Sequence, residues 1–129
     1  LYNYIYQPDD KKYTILHSMD GYDEISLTGA VKVISQHGED ILRPQDLGFE
    51  IVEAEEIHGG SSVPEAAEIF VSILKNQGTQ AQNDVVCANA GMAIACANEG
   101  MSYVEGIALA RESLDSGKAL SSFQKLVTA

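Results

Sequence analysis

Residues Asp84–Asn98, DVVCANAGMAIACAN, carry one charge, at their first position, and are otherwise apolar on nearly every side and rich in Ala and Gly. A helix of that composition belongs in an interior, and its short side chains let neighbouring helices come close. Asn89 sits in its middle, where a buried amide needs hydrogen-bond partners. A bond to another helix or to a loop is the plain account of Asn89; a ligand contact is the other.

Working outward, the chain on both sides of this stretch is also helical in period. Ser62 is placed to cap a helix, and Pro64 sits in its first turn, where a missing N–H costs nothing. Ala66, Ala67, Phe70, Ile73 and Leu74 recur at three- and four-residue spacing, and Gly78 is the expected end of that helix. Downstream, Ser102 and Glu105 have capping-box spacing. Val104, Ile107, Ala108 and Leu114 form the stripe that follows, closed by Gly117. Ala119, Leu120, Phe123, Leu126 and Val127 make a last amphipathic helix.

The first third reads differently. Tyr13–His17 (YTILH) is a short apolar run expected as a buried strand, and Val31–Ser35 (VKVIS) alternates with Lys32 on the wet face. Gln36–Asp40 is expected as a turn, with Ile41 and Leu42 starting a partner strand, so the pair is a hairpin candidate. Pro44 stops it, and Arg43–Glu56 is expected to be loop with short pieces of structure. No internal repeat or low-complexity segment appears, and nothing marks a domain boundary. The expected fold class is α/β: a few strands including a hairpin, followed by three to four helices.

The chain has 129 residues, the length of one ordinary domain. Lys and Arg number 8 against 19 Asp and Glu, a formal charge of −11. That balance argues against nucleic acid or an anionic membrane as partner, because phosphate backbones recruit basic residues. No apolar run reaches the roughly 20 residues needed to span a bilayer, and no secretory leader pattern opens the chain. Cys87 and Cys96 lie nine positions apart, about 900° of helical rotation, hence on opposite faces and unable to pair. Core thiols in a reducing cytosol are the expectation. The first residue is Leu1, and LYNYIYQPDD reads as the tail of an apolar element followed by a loop, so a piece of a longer protein is expected.

One stretch carries chemistry. In His17–Gly29, HSMDGYDEISLTG, the carboxylates Asp20, Asp23 and Glu24 follow a buried strand in a Gly-containing turn. Adjacent carboxylates repel, so Asp23 and Glu24 need water or a cation. Mg²⁺ suits such a pair, because it takes one or two protein carboxylates and completes its shell with water and substrate phosphate. The spacing excludes an EF-hand. A solvated acidic turn is the plain alternative. His58–Ser62 (HGGSS) runs into a helix, where backbone N–H groups can hold phosphate, but it has neither dinucleotide-fingerprint nor P-loop spacing and reads as loop and cap. His17, His37 and His58 lack metal-pair spacing, and Ser26 and Thr28 have no nearby base to activate them.

Several stretches in order resemble one family. LHSMDGYDEISLTG looks like the segment of anthranilate phosphoribosyltransferases that carries paired metal-binding carboxylates. HGGSSVPEAAEIF, NDVVCANAGMAIACA and GIALARESLDSGKALSSFQKL are similar to that family's Gly-Gly loop, small-residue core helix and C-terminal helices. The resemblance covers nearly everything from Tyr13 on. It implies the C-terminal part of a nucleoside phosphorylase/phosphoribosyltransferase-type α/β domain. It implies transfer of a phosphoribosyl group from phosphoribosyl pyrophosphate (PRPP) to anthranilate, with release of pyrophosphate, in tryptophan biosynthesis. Carried over by motif, Asp23 and Glu24 would hold Mg²⁺. No catalytic or substrate-binding residue is assigned in this chain, because the family's GTGGD-type loop, KHGN-type segment and N-terminal helical domain have no counterpart here. Ser18–Met19 and Ser61–Val63 depart from the family's usual pattern, which bears on local geometry at Asp20 and at the helix start. The resemblance further implies a cytoplasmic, homodimeric parent and a segment that is inactive alone; separately, apolar helix faces left without their neighbours are expected to make the segment self-associate. The competing expectation is a stand-alone binding or scaffold module that kept the fold without the chemistry.

Overall fold

A computed structural model describes residues 2–6, 8 and 12–128. A short helix α1 (Tyr2–Tyr6) precedes three strands, β1 (Thr14–Ser18), β2 (Val31–Ser35) and β3 (Gly38–Leu42). Two single 3₁₀ turns, Pro44–Leu47 and Ala54–Ile57, lead to four helices: α2 (Val63–Leu74), α3 (Gln80–Ala97), α4 (Tyr103–Asp115) and α5 (Lys118–Val127). From β1 on, the order of strands before helices is the expected one.

The strands form an antiparallel sheet in the order β1-β2-β3, with Ser18 opposite Val31 and Val31 opposite Leu42. β2 is central, and its alternation resolves as read: Val31 and Val33 are buried, and Lys32 reaches the wet face to pair with Glu39 on β3 (2.7 Å). The hairpin is tighter than expected. Only Gln36 and His37 lie between β2 and β3, and Gly38 opens β3 at φ +137°, a conformation only Gly takes easily.

Helix boundaries hold where a cap marks them and shift where none does. Ser62 caps α2 and accepts from the Glu65 N–H at 3.3 Å. α2 ends at Leu74, before the expected Gly78, because Asn76 takes the left-handed conformation (φ 58°). Gly78 serves packing instead: a Cβ there would meet Asn83 Oδ1 at 2.7 Å and Ile73 Cγ1 at 2.8 Å. α3 begins about a turn earlier than its apolar pattern, behind a Thr79–Gln82 capping box, since polar residues in a first turn leave no hydrophobic trace.

α3 is the spine, but only one side of it is buried. Ala81, Cys87, Ala88, Gly91, Met92 and Ala95 face the core, whereas Val86, Ala93 and Ala97 are exposed. α4 crosses α3 at the glycines. A Cβ on Gly91 would lie 2.5 Å from Ile107 Cα, and one on Gly106 would strike the Gly91 carbonyl oxygen. This contact sets the buried stripe of α4 as Gly106, Ile107, Ala110 and Leu114, while Val104 and Ala108 of the expected stripe point to solvent. Against this helix pair pack Leu27, Val31, Val33, Leu47 and Phe49 from the sheet and loops, completing one core. α2 adds only Ile73 to it, with Ile69 of α2 and Ala119 of α5 packed alongside. Phe70 and Phe123 meet edge to face (ring centroids 5.0 Å apart), but Phe70 stays half exposed, and Leu126 and Val127 are open.

Candidate metal site

The acidic turn leaves β1 at Ser18 and returns into β2 at Val31. Its base is closed by the Met19 N–H, which donates to the Ala30 carbonyl (2.8 Å), and by a tight turn in which the Gly21 N–H donates to Ser18 (3.2 Å). Ser18 is 1% exposed, and its hydroxyl donates to the carbonyl of Glu24 at 2.5 Å. One residue on, Asn89 reaches out of α3. Its Oδ1 accepts from the Ile25 N–H (3.0 Å), and its Nδ2 donates to the Ile25 carbonyl (2.8 Å) and to Val85 of its own helix (2.9 Å). The helix-to-loop account of Asn89 is therefore the observed one. Ile25 itself is buried at 3% exposure, so the chain just after Glu24 is anchored by both packing and hydrogen bonds.

The turn then dips into the core. Leu27 is 1% exposed and sits at φ 62°, left-handed backbone that costs a non-Gly residue on the order of 1–3 kcal/mol. Its buried side chain and the hydrogen bond its carbonyl accepts from the Val52 N–H (3.1 Å) hold it there.

The three carboxylates part company. Asp20 turns onto hydroxyls: that of Thr28 donates to Oδ2, and the buried Ser26 hydroxyl lies 2.8 Å from Thr28 Oγ1 and 3.4 Å from the same Oδ2. Asp23 and Glu24 remain exposed, and neither takes part in the ion pairs found among the described residues. No three His, Cys, Asp or Glu side chains converge as a metal cage among the described residues. The donor set fits Mg²⁺ of the open kind, two hard carboxylate oxygens with room for water and ligand oxygens, and does not fit a closed all-protein site.

The other sequence candidates fall away from chemistry. In the HGGSS loop the Gly60 N–H donates to His58 Nδ1 (3.1 Å) and the Ser61 N–H to the Glu65 carboxylate (2.7 Å), so the chain's own side chains occupy these donors. His17 lies on β1, His37 in the hairpin turn and His58 before α2. Cys87 is buried and Cys96 partly so, both as free thiols. Burial pushes the Cys87 thiol up, partly offset by the Arg111 guanidinium, so it stays protonated. Arg111 on α4 joins Asp84 on α3 (2.5 Å) and lies 5.8 Å from the ring centre of Phe49. The Asp84 hydrogen bond raises the already high pKa of the guanidinium. It fastens α3, α4 and the Phe49 loop together and reads as structure.

With fold and turn in view, the class is defined. Residues 6–120 match the family described as glycosyl transferase family, a/b domain, and the chain belongs to that family. Among named enzymes it is similar to the anthranilate phosphoribosyltransferase of Christiangramia forsetii, at 60% identity over 126 residues, and to that of Flavobacterium psychrophilum, at 52%. Each alignment covers 98% of this chain and 38% of the relative, so the chain spans well under half the length of the curated relatives it matches. Among solved structures, anthranilate phosphoribosyltransferase from Thermus thermophilus superposes with a TM-score of 0.79 at 31% identity, over 89% of this chain and 34% of that one. The Saccharomyces cerevisiae enzyme in complex with PRPP and Mg superposes at 0.75 over 86% of this chain and 32% of that one. At 23% identity it shows likeness of fold alone.

Proposed function

We propose that this chain is the C-terminal part of an anthranilate phosphoribosyltransferase, and that within the whole enzyme it supplies the Asp23–Glu24 half of a Mg²⁺ site. The observation that carries this reading is the acidic turn. Two adjacent carboxylates are held out to solvent on a backbone fixed from two sides, with no partner cation among the described residues, in a chain 60% identical to such an enzyme.

In transfer from PRPP to an amine, negative charge grows on the departing pyrophosphate. A Mg²⁺ bound there would neutralise that charge. Asp23 and Glu24 would orient the ion, directly or through water, and their mutual repulsion would be relieved by it. The rest of this chain keeps the two carboxylates at a fixed place on the sheet edge. Grip on the phosphates and on anthranilate belongs to parts of the enzyme outside this segment, and the segment alone is inactive. A biosynthetic enzyme of this kind works in the cytoplasm; no helix among the described residues is long and apolar enough to cross a membrane.

The test is Asp23→Asn and Glu24→Gln in the full-length transferase carrying this segment. Turnover at fixed Mg²⁺ should fall by about 10²–10³-fold, the scale of a lost electrostatic group. The melting temperature should barely move, because exposed side chains outside the packed core contribute within about 0.5 kcal/mol. Near-normal rates in both variants overturn the metal assignment.

The parent is proposed to be a homodimer. The segment by itself should associate through the faces that α2 and α5 leave open, where Val63, Phe70, Leu126 and Val127 are exposed. Light scattering on the 129-residue chain should show species larger than 13.9 kDa; a strict monomer at high concentration counts against it.

A further inference from the structure

We propose that Asn89 is a positioning residue for the metal carboxylates: from inside α3 it sets the main chain on which Glu24 and Asp23 are carried. This rests on the metal reading above. The amide commits both ends to one residue, accepting from the Ile25 N–H and donating to the Ile25 carbonyl, as a neighbouring strand would. Its other Nδ2 hydrogen goes to Val85 one turn back, so the amide cannot flip without setting NH₂ against N–H and carbonyl against carbonyl. Ser18 supplies the second pin, on the Glu24 carbonyl. The Glu24–Ile25 peptide is thereby held at both its carbonyl and its N–H, and the Ile25 carbonyl beyond it is held too, which places the Glu24 Cα at the edge of that plane, the atom from which the side chain departs. The support behind Asn89 is rigid. Ala88 and Met92 on either side are 0% and 1% exposed, and α3 is locked against α4 at Gly91. Neither pin touches the carboxylates themselves, so their effect on a metal is through geometry alone.

The experiment uses the full-length transferase carrying this segment, with Mn²⁺ as the probe ion in the presence of PRPP. Bound and free ion are counted by electron paramagnetic resonance, and the Mg²⁺ activation constant and the KM for anthranilate are measured alongside. Asn89→Ala should weaken Mn²⁺ by about 10–100-fold, the usual effect of removing a group that orients a metal ligand. The Mg²⁺ activation constant should rise in parallel, with much of kcat recovered at saturating Mg²⁺ and the KM for anthranilate unchanged. Ser18→Ala should act in the same direction and more weakly. It leaves core volume almost intact and carries the test if Asn89→Ala does not fold. Mn²⁺ affinity within twofold of the parent in the folded variants overturns the proposal, as does a loss of kcat that no Mg²⁺ concentration restores. Asp23→Asn and Glu24→Gln run beside them separate the two ideas. If those variants also keep Mn²⁺, the metal reading has failed and takes this one with it. If they lose it while Asn89→Ala and Ser18→Ala keep it, only the positioning role is overturned.

Discussion

The acidic turn and the α3–α4 crossing are held by opposite means. At the crossing the chain gains contact by omitting atoms: Gly91 and Gly106 let one helix backbone lie against the other, with no room for a Cβ on either side. At the turn it gains position by adding polar groups: Ser18, Asn89 and Thr28 each bind a neighbour, and the exposed Asp23 and Glu24 carboxylates are left out of the web. Close packing defines a place and excludes everything else from it, water and ions included. Side-chain bonds to main chain define a place while leaving one face wet. A domain that presents charge to a ligand needs both, the first to make a rigid base and the second to build the rim on it.

The largest effect that could break this contrast is at the crossing. Gly91→Ala should gain about 1 kcal/mol in helix propensity and lose about 3 kcal/mol by overpacking. The contact is with Ile107 Cα, backbone that no rotamer change can move aside. The net loss of about 2 kcal/mol corresponds to a melting temperature lower by roughly 8 °C for a domain of this size. Thermal unfolding followed by circular dichroism would decide it. An unchanged or higher melting temperature would mean that the helices stand further apart than the glycines suggest.

The two regions also differed in how far they could be read from residues alone. The crossing was legible in outline, because a helix of Ala and Gly can only be one that neighbours approach closely. Its consequence for α4 was not. Heptad-like spacing pointed to Val104 and Ala108, and close approach at Gly106 rotated the buried stripe onto Ala110. Caps were legible at Ser62 and at Ser102–Glu105, whereas the Thr79–Gln82 box was not, because the apolar pattern it opens starts only at Asp84. The end of α2 was not, since Asn76 took the left-handed turn that a Gly more often takes. In the turn, adjacency singled out Asp23 and Glu24, and resemblance gave them a purpose. Nothing in the spacing said that Asp20 would leave them for Thr28, because hydroxyl–carboxylate bonds depend on how the loop folds back. Leu27 carried no mark at all. A leucine at positive φ is tolerated only once Val52 and the core have closed on it. Asn89 was conspicuous as an amide in an apolar run, but its target lies 64 residues upstream and became visible only in three dimensions.

The start of α4 offers the sharpest small test, because both means of holding meet there. The Ser102 hydroxyl accepts from the Glu105 N–H (3.3 Å), and the Glu105 carboxylate takes bonds from the Ser102 hydroxyl (2.7 Å) and N–H (2.8 Å). These bonds, the hydroxyl's first, hold the Glu105 carboxyl below the usual glutamate range. The unfolded chain then takes up a proton on this group at higher pH than the folded one does. The pair's contribution is therefore complete above the usual glutamate range and fades as pH falls through the lowered value. Glu105→Gln should flatten that part of the acid limb of stability, and salt should shrink it in the parent, since the group is fully exposed. A chemical-denaturation series across that pH window, for parent and variant, measures the difference. The effect should be the smallest considered, because a turn away the Gly91–Gly106 contact already holds the helix. A large one would mean that side-chain pins carry weight even where packing reaches, and the division of labour between crossing and turn would have to be redrawn.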